Sequence, residues 1–216
     1  MKLKEVENLF FSKVEDIIQQ NDFKIYKSSC KANRKQGDFL HQIDFGFISR
    51  SSSKILEITV SITSLKLNDL YFEITGSKLE MTMGNTLRLI IEQDDDVMKI
   101  KPFWELEVTN EHLIDKVAFK FVRWMDSDIL PYFEGYSSIG EVDKAFNSNP
   151  LAMTRHTSKQ FQRCTVGLLA AYLNNNKNLN ELLELYDNEM KAGGYFFVEE
   201  HFAISKYIRS KISSNI

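Results

Sequence analysis

The side chains best equipped for chemistry are few and scattered along the chain. The four histidines stand at positions 41, 112, 156 and 201, and no two share the HExxH or related spacing that brings imidazoles onto one metal ion. Cys30 and Cys164 are far apart with no CxxC partner, so neither a zinc knuckle nor a disulfide framework is expected, and both read as reduced, buried thiols. The acidic run Glu92, Asp94, Asp95 and Asp96 lacks the alternating oxygen ligands and central glycine of a calcium loop and reads as a solvated loop. His112 and Asp115 sit three apart on one helix face, an ordinary solvated pair. Glu199, Glu200 and His201 point in different directions around a helix and read as a solvated face. No nucleophile elbow of the GxSxG type and no phosphate-cradling glycine loop occurs. The prediction is therefore no catalytic residue, no metal and no cofactor.

Three constellations remain as candidate binding sites. The segment 24–35 carries Lys24, Lys27, Lys31, Arg34 and Lys35 without an acid. It reads either as a basic strand that docks an acidic partner or as an edge strand that its lysines protect from aggregation. A second set lies on the polar face of the expected sheet, where Gln42, Asp44, Glu57, Thr59, Ser61, Thr63, Glu105 and Glu107 alternate with apolar residues. Were Asp44, Glu57, Glu105 and Glu107 to converge in a cleft, they would make an acid-lined ligand or hydrolase site; otherwise the face is plain solvated sheet. The third is Arg155-His156 near a helix start, able to bind an anion. Thr157 or Ser158 acting as a simple helix cap explains the same segment.

Composition narrows the function classes. The chain has 216 residues, 43% hydrophobic and 26% charged, with only three prolines and nine glycines, which is ordinary globular usage rather than disorder. Its net charge of −3 argues against a dedicated nucleic-acid binder, which needs a basic surface. The opening MKLKEVENLF has acids where a secretion signal needs an apolar core. The longest uncharged apolar stretch, 166–173, falls far short of the roughly 18 residues a spanning helix requires. No nucleic-acid partner, no membrane partner and a cytoplasmic location are expected.

The elements that must position these residues follow from periodicity. Leu3, Val6, Phe10, Val14, Ile17 and Ile18 recur at three-four spacing and predict a helix over 3–20. Period-two alternation predicts strands over 39–48 and 55–65, with Leu70, Phe72 and Ile74 and then Trp104, Leu106 and Val108 repeating it. The stretch 23–34 is read as one further edge strand, and the serines at 49–53 as a hairpin loop. Helical spacing returns over 111–130, capped by Thr109 or Asn110 and stopped by Pro131. Ser137 or Ser138 opens a short helix ending at Asn147-Ser148-Asn149-Pro150, the best domain boundary. Three helices follow, the second closed by Gly193-Gly194. The predicted class is α+β: an antiparallel sheet of about four to six strands packed against helices in a domain over 1–148, with a helical extension over 151–216. Leu56, Ile58, Val60, Ile62, Phe45, Phe72, Val117 and Phe121 are its expected core.

The leading helix, NDFKIYKSSCKANR, FLHQIDFGFISR, ILEITVSIT and ILPYFEGYSSIGEVDKAF together resemble a bacterial domain-of-unknown-function family over about residues 1–148. The resemblance implies a helix before a curved antiparallel sheet and lends no catalytic residue. Some similar small α+β proteins act as immunity or partner-binding proteins, so the reading that emerges is a non-catalytic protein-binding factor, of immunity or regulatory type.

Overall fold

The structure is a computed structural model that describes residues 1–91 and 106–214. Trp104, Glu105 and the acidic run Glu92, Asp94, Asp95 and Asp96 lie outside the described residues. The chain is α+β, with an antiparallel sheet and helices. Among the described residues six strands form the sheet: β1 (Lys24–Tyr26), β2 (Lys31–Gln36), β3 (Phe39–Ser49), β4 (Lys54–Ser64), β5 (Met83–Thr86) and β6 (Leu106–Glu107). They lie in the order β1-β2-β3-β4-β5, with β6 also paired to β4.

Contacts divide the chain into two compact units, Met1–Ile62 with Gly84–Gly135, and Thr63–Met83 with everything from Tyr136 onward. The division therefore falls at Gly135 rather than at Asn147–Pro150, and a piece of the first half belongs to the second unit.

In the first unit α1 (Leu3–Gln20) buries Val6, Phe10, Phe11, Val14 and Ile18, the stripe its spacing demands. Its first turn is closed by Glu5, whose carboxylate accepts the Lys2 backbone N–H at 2.8 Å. Phe11 meets Phe45 of β3 at 5.2 Å between ring centroids, and Phe45 meets Phe121 of α4 (Glu111–Trp124) at 5.4 Å. These edge-on ring contacts are the centre of the unit's core. Leu56, Ile58, Val60 and Ile62 are all buried, so the predicted register of β4 holds. In β5, which leads directly into the short helix α3 (Leu87–Ile91), Gly84 has φ +155°, and a Cβ there would stand 2.5 Å from the Val60 carbonyl oxygen. Only glycine permits that approach.

Four expectations about elements are corrected. Residues 23–34 form two strands, because Lys27–Cys30 turns the chain and Cys30 adopts φ +51°; β2 is interior, and of the two strands β1 alone lies at an edge. Residues 70–74 are helical within α2 (Leu65–Thr75), where the Ser64 hydroxyl accepts the Leu67 N–H and Gly76 closes the end at φ +72°. Leu67 and Tyr71 then share the buried face at helical spacing, which leaves Phe72 50% exposed and outside the core. Pro131 does not stop the 111–130 helix. A π turn over Met125–Ile129, in which the Leu130 N–H reaches the Met125 carbonyl, widens the spiral just ahead of it, and α5 (Leu130–Gly135) carries on.

The second unit gathers α2, α6 (Ile139–Asn147), α7 (Gln160–Leu173), α8 (Leu179–Ala192) and α9 (Val198–Ser213). Ser138 caps α6 by accepting the Glu141 N–H at 3.2 Å. Every residue of α7 from Gln162 to Ala171 is buried, the mark of a helix enclosed on all sides, and α2, α6, α8 and α9 all touch it. Among the described residues no strand follows Pro150, apart from a single bridge between Thr154 and Thr157. No helix among them is long and apolar enough to cross a membrane.

Candidate functional site: an aromatic groove in the second unit

The acid-bearing sheet face comes first among the predicted sites. Asp44 on β3 stands opposite Lys31 on β2, accepts its ammonium at 2.9 Å and accepts the Gln42 amide at 2.6 Å. Glu107 is exposed and accepts the Thr109 hydroxyl at 2.8 Å. Glu57 lines a small cavity of about 260 Å³ together with Arg50, Thr86 and Arg88. These three carboxylates are spread over three strands, each with its own surroundings, and Glu105 lies outside the described residues.

The basic segment is partly neutralised from within. Lys27 pairs with Glu15 at 2.6 Å and Lys31 with Asp44. Lys24 lies 5.3 Å from the Tyr26 ring centre. The Arg34 guanidinium lies 4.8 Å from the Phe23 ring centre and donates to His41 Nδ1, and burial lowers its pKa. Lys35 is exposed. His41 itself is fully buried and stacked on Phe133 at 4.4 Å, and burial followed by the nearby Arg34 pushes its pKa down to about 4.

Arg155 and His156 turn inward. Arg155 donates to the Tyr136 hydroxyl at 3.4 Å, and the His156 ring packs edge-on to Tyr136 at 4.6 Å. Burial, then Arg155 and Arg163, push the His156 pKa down to about 3, so it brings no positive charge to an anion at neutral pH. The Thr157 hydroxyl accepts the Lys159 N–H at 3.1 Å and donates to Gln162 at 3.0 Å, which anchors the start of α7.

Two buried polar centres went unread in the sequence. Asp143, 3% exposed, is held by side-chain amides from Asn147, Asn174 and Asn176 at 2.6 to 2.9 Å. The asparagine-rich stretch is thus a set of ligands for a buried carboxylate as well as a loop. His201 is not on a solvated face: it is fully buried, with Nε2 at 3.1 Å from Asp187 Oδ1 and Nδ1 at 3.3 Å from the Thr165 hydroxyl. Asp187 also accepts from Ser205 at 2.9 Å and Arg209 at 3.0 Å. Burial lowers the His201 pKa against the opposing pull of Asp187. The neutral ring therefore donates from Nε2 and accepts the Thr165 hydroxyl at Nδ1. Hydroxyl, imidazole and carboxylate stand in the order of a nucleophilic triad, but Thr165 and His201 have no exposed surface, so no substrate reaches them. Among the described residues no group of three or more His, Cys, Asp or Glu side chains is placed to hold a metal ion. Cys164 is buried, and burial pushes its thiol up to about 12, which leaves it unreactive.

What stands open to solvent is a groove of about 640 Å³, in the size range of ligand-binding clefts. Tyr71 of α2, Leu79, Met81, Phe161 of α7, and Phe196 and Phe197 give it an apolar lining. Lys159 and Glu80, paired at 3.0 Å, also line it. The loop between α8 and α9 presents the aromatics. Gly193 lets the Tyr195 ring fold back, since a Cβ there would meet that ring at 1.9 Å. The Tyr195 hydroxyl donates to Glu189 at 2.7 Å, an attachment that pushes its pKa up to about 12. Phe197 then sits in the left-handed region at φ +62°, a conformation that a bulky residue adopts only at a cost of about 1–3 kcal/mol. Its ring lies 5.7 Å from that of Phe161. Phe196 is 86% exposed and Phe197 65%. The sequence signal was two adjacent phenylalanines after a glycine pair, of which only the glycines were read.

Compared with protein families, with curated proteins and with solved structures, the chain matches none.

Proposed function

We propose that this protein is a non-catalytic, cytoplasmic protein-binding factor, of immunity or regulatory type, whose partner seats apolar side chains in the groove beside Phe196 and Phe197. The carrying observation is the α8–α9 loop. Leaving two phenylalanines in water forgoes roughly 2 kcal/mol of burial each, and the left-handed Phe197 backbone adds strain. A fold that sustains both next to an apolar groove has the makings of an interaction site, since exposed aromatic anchors dominate interface energetics. Two free cysteines, Cys30 and Cys164, suit a reducing compartment. The other reading, a small-ligand site or hydrolase on the acid-bearing sheet face, draws less from the geometry. Asp44 is committed to Lys31, and Glu107 is taken up by Thr109.

The test is a comparative capture from extract of the protein's own cells, with wild type and a Phe196→Ser/Phe197→Ser double variant immobilised side by side. The reading expects a protein retained by wild type and reduced at least tenfold on the variant, with both baits equally folded by circular dichroism. Identical retention on both baits would remove the groove from consideration.

A further inference from the structure

Resting on that reading, we infer that the groove takes an amphipathic α-helix of the partner, with its apolar face against the phenylalanines, an acid beside Lys78 and a base beside Glu200. None of the groove's lining residues belongs to a strand, so no sheet edge borders it, and three backbone groups beside it are already used. The Leu79 N–H donates to Asn68 at 2.9 Å, the Met81 carbonyl accepts from Gln162 at 2.8 Å, and the Lys159 N–H donates to Thr157 at 3.1 Å. An extended peptide laid here would find no sheet edge to extend and no ladder for its own N–H and C=O groups, the pairing on which strand addition depends. A helix satisfies its backbone internally and asks the groove only for apolar contact, which Tyr71, Leu79, Met81, Phe161, Phe196 and Phe197 supply.

Charge sets the orientation. Lys159 and Glu80 neutralise each other, whereas Lys78 and Glu200, both lining the groove, form no ion pair among the described residues. Lys78 instead lies 6.0 Å from the Phe72 ring centre. One uncompensated cation and one uncompensated anion on the same groove favour a partner of opposite polarity at each place and disfavour its reverse.

The experiment selects a displayed library of 16-residue peptides against the full chain, with counter-selection against Phe196→Ser. The inference expects enriched peptides with apolar residues at i, i+3 or i+4, and i+7 that become helical on binding. Binding should weaken about tenfold with Lys78→Glu and recover when the peptide's acid is exchanged for lysine. Enriched peptides that need Phe196 but alternate with period two, or are proline-rich, would overturn the helix while leaving the groove as a protein site. If no peptide distinguishes wild type from Phe196→Ser, the groove reading fails as well. Self-association of the chain that vanishes with Phe196→Ser, seen by sedimentation, would make a second copy the occupant and contradict the inference.

Discussion

His201 Nε2 lies 3.1 Å from Asp187 Oδ1, and through this contact α9 is joined to α8 by a carboxylate that also receives Ser205 and Arg209. Removing Asp187 strands a buried imidazole N–H and a buried hydroxyl together. Asp187→Ala is therefore expected to cost about 3 kcal/mol. Arg209 is 42% exposed and also paired with Glu184, so Arg209→Ala should cost under about 1 kcal/mol. Urea unfolding of both variants checks the ranking, and equal losses would mean that the carboxylate is not the hub.

Three buried histidines set an acid limit on stability. The pKa values of His41 and His156 are pushed down to about 4 and about 3, and that of His201 is lowered. In each case the folded chain resists a proton that the unfolded chain accepts near pH 6.5. Their contribution is thus full above pH 6.5 and is lost as pH falls from there toward the folded values. At pH 5.5 the loss should be roughly 1 kcal/mol for each of His41 and His156. Unfolding midpoints measured between pH 7.5 and 5 read the slope. His156→Gln should flatten it, and an unchanged slope in that variant would show that His156 does not contribute.

Lys31 and Asp44 offer a test of whether the basic segment is committed within the fold. Were Lys31 only one of several solvated cations on an exposed edge, its reversal to glutamate would leave folding nearly unchanged. With Asp44 directly opposite at 2.9 Å, the reversal instead places like charges in register, and a loss of about 1 kcal/mol is expected. The exchange Lys31→Glu with Asp44→Lys should recover most of it. Equal stability of wild type and Lys31→Glu would return the lysine to the pool of residues available to a partner.

The fold was legible where one pattern dominated. The three-four stripe of Val6, Phe10 and Val14 and the alternation of Leu56, Ile58, Val60 and Ile62 each allow one period, and each is buried as that period requires. Leu70, Phe72 and Ile74 fit a strand on their own, yet the segment is bounded by the Ser64 and Gly76 caps, and those short-range hydrogen bonds carry the decision. His201 was beyond reach for a different reason. Its partners Thr165 and Asp187 are 36 and 14 residues away, and a neighbouring pair of glutamates disguised a buried position as a solvated one. The groove assembles residues from four stretches of sequence; only Phe196-Phe197 marks it locally, and adjacent aromatics are more often core.

Site-specific photocrosslinking reads out whether Phe196 touches a partner protein. Incorporating p-benzoylphenylalanine at position 196, and separately at the exposed Phe119 of the first unit, allows irradiation of the otherwise intact chain in its own cells. A discrete crosslinked species containing a second, different polypeptide is expected from position 196 and none from position 119. Mass spectrometry should place the crosslink within a helical segment of that polypeptide. Crosslinks at 196 that contain only copies of this chain, or the same products from both positions, would contradict it.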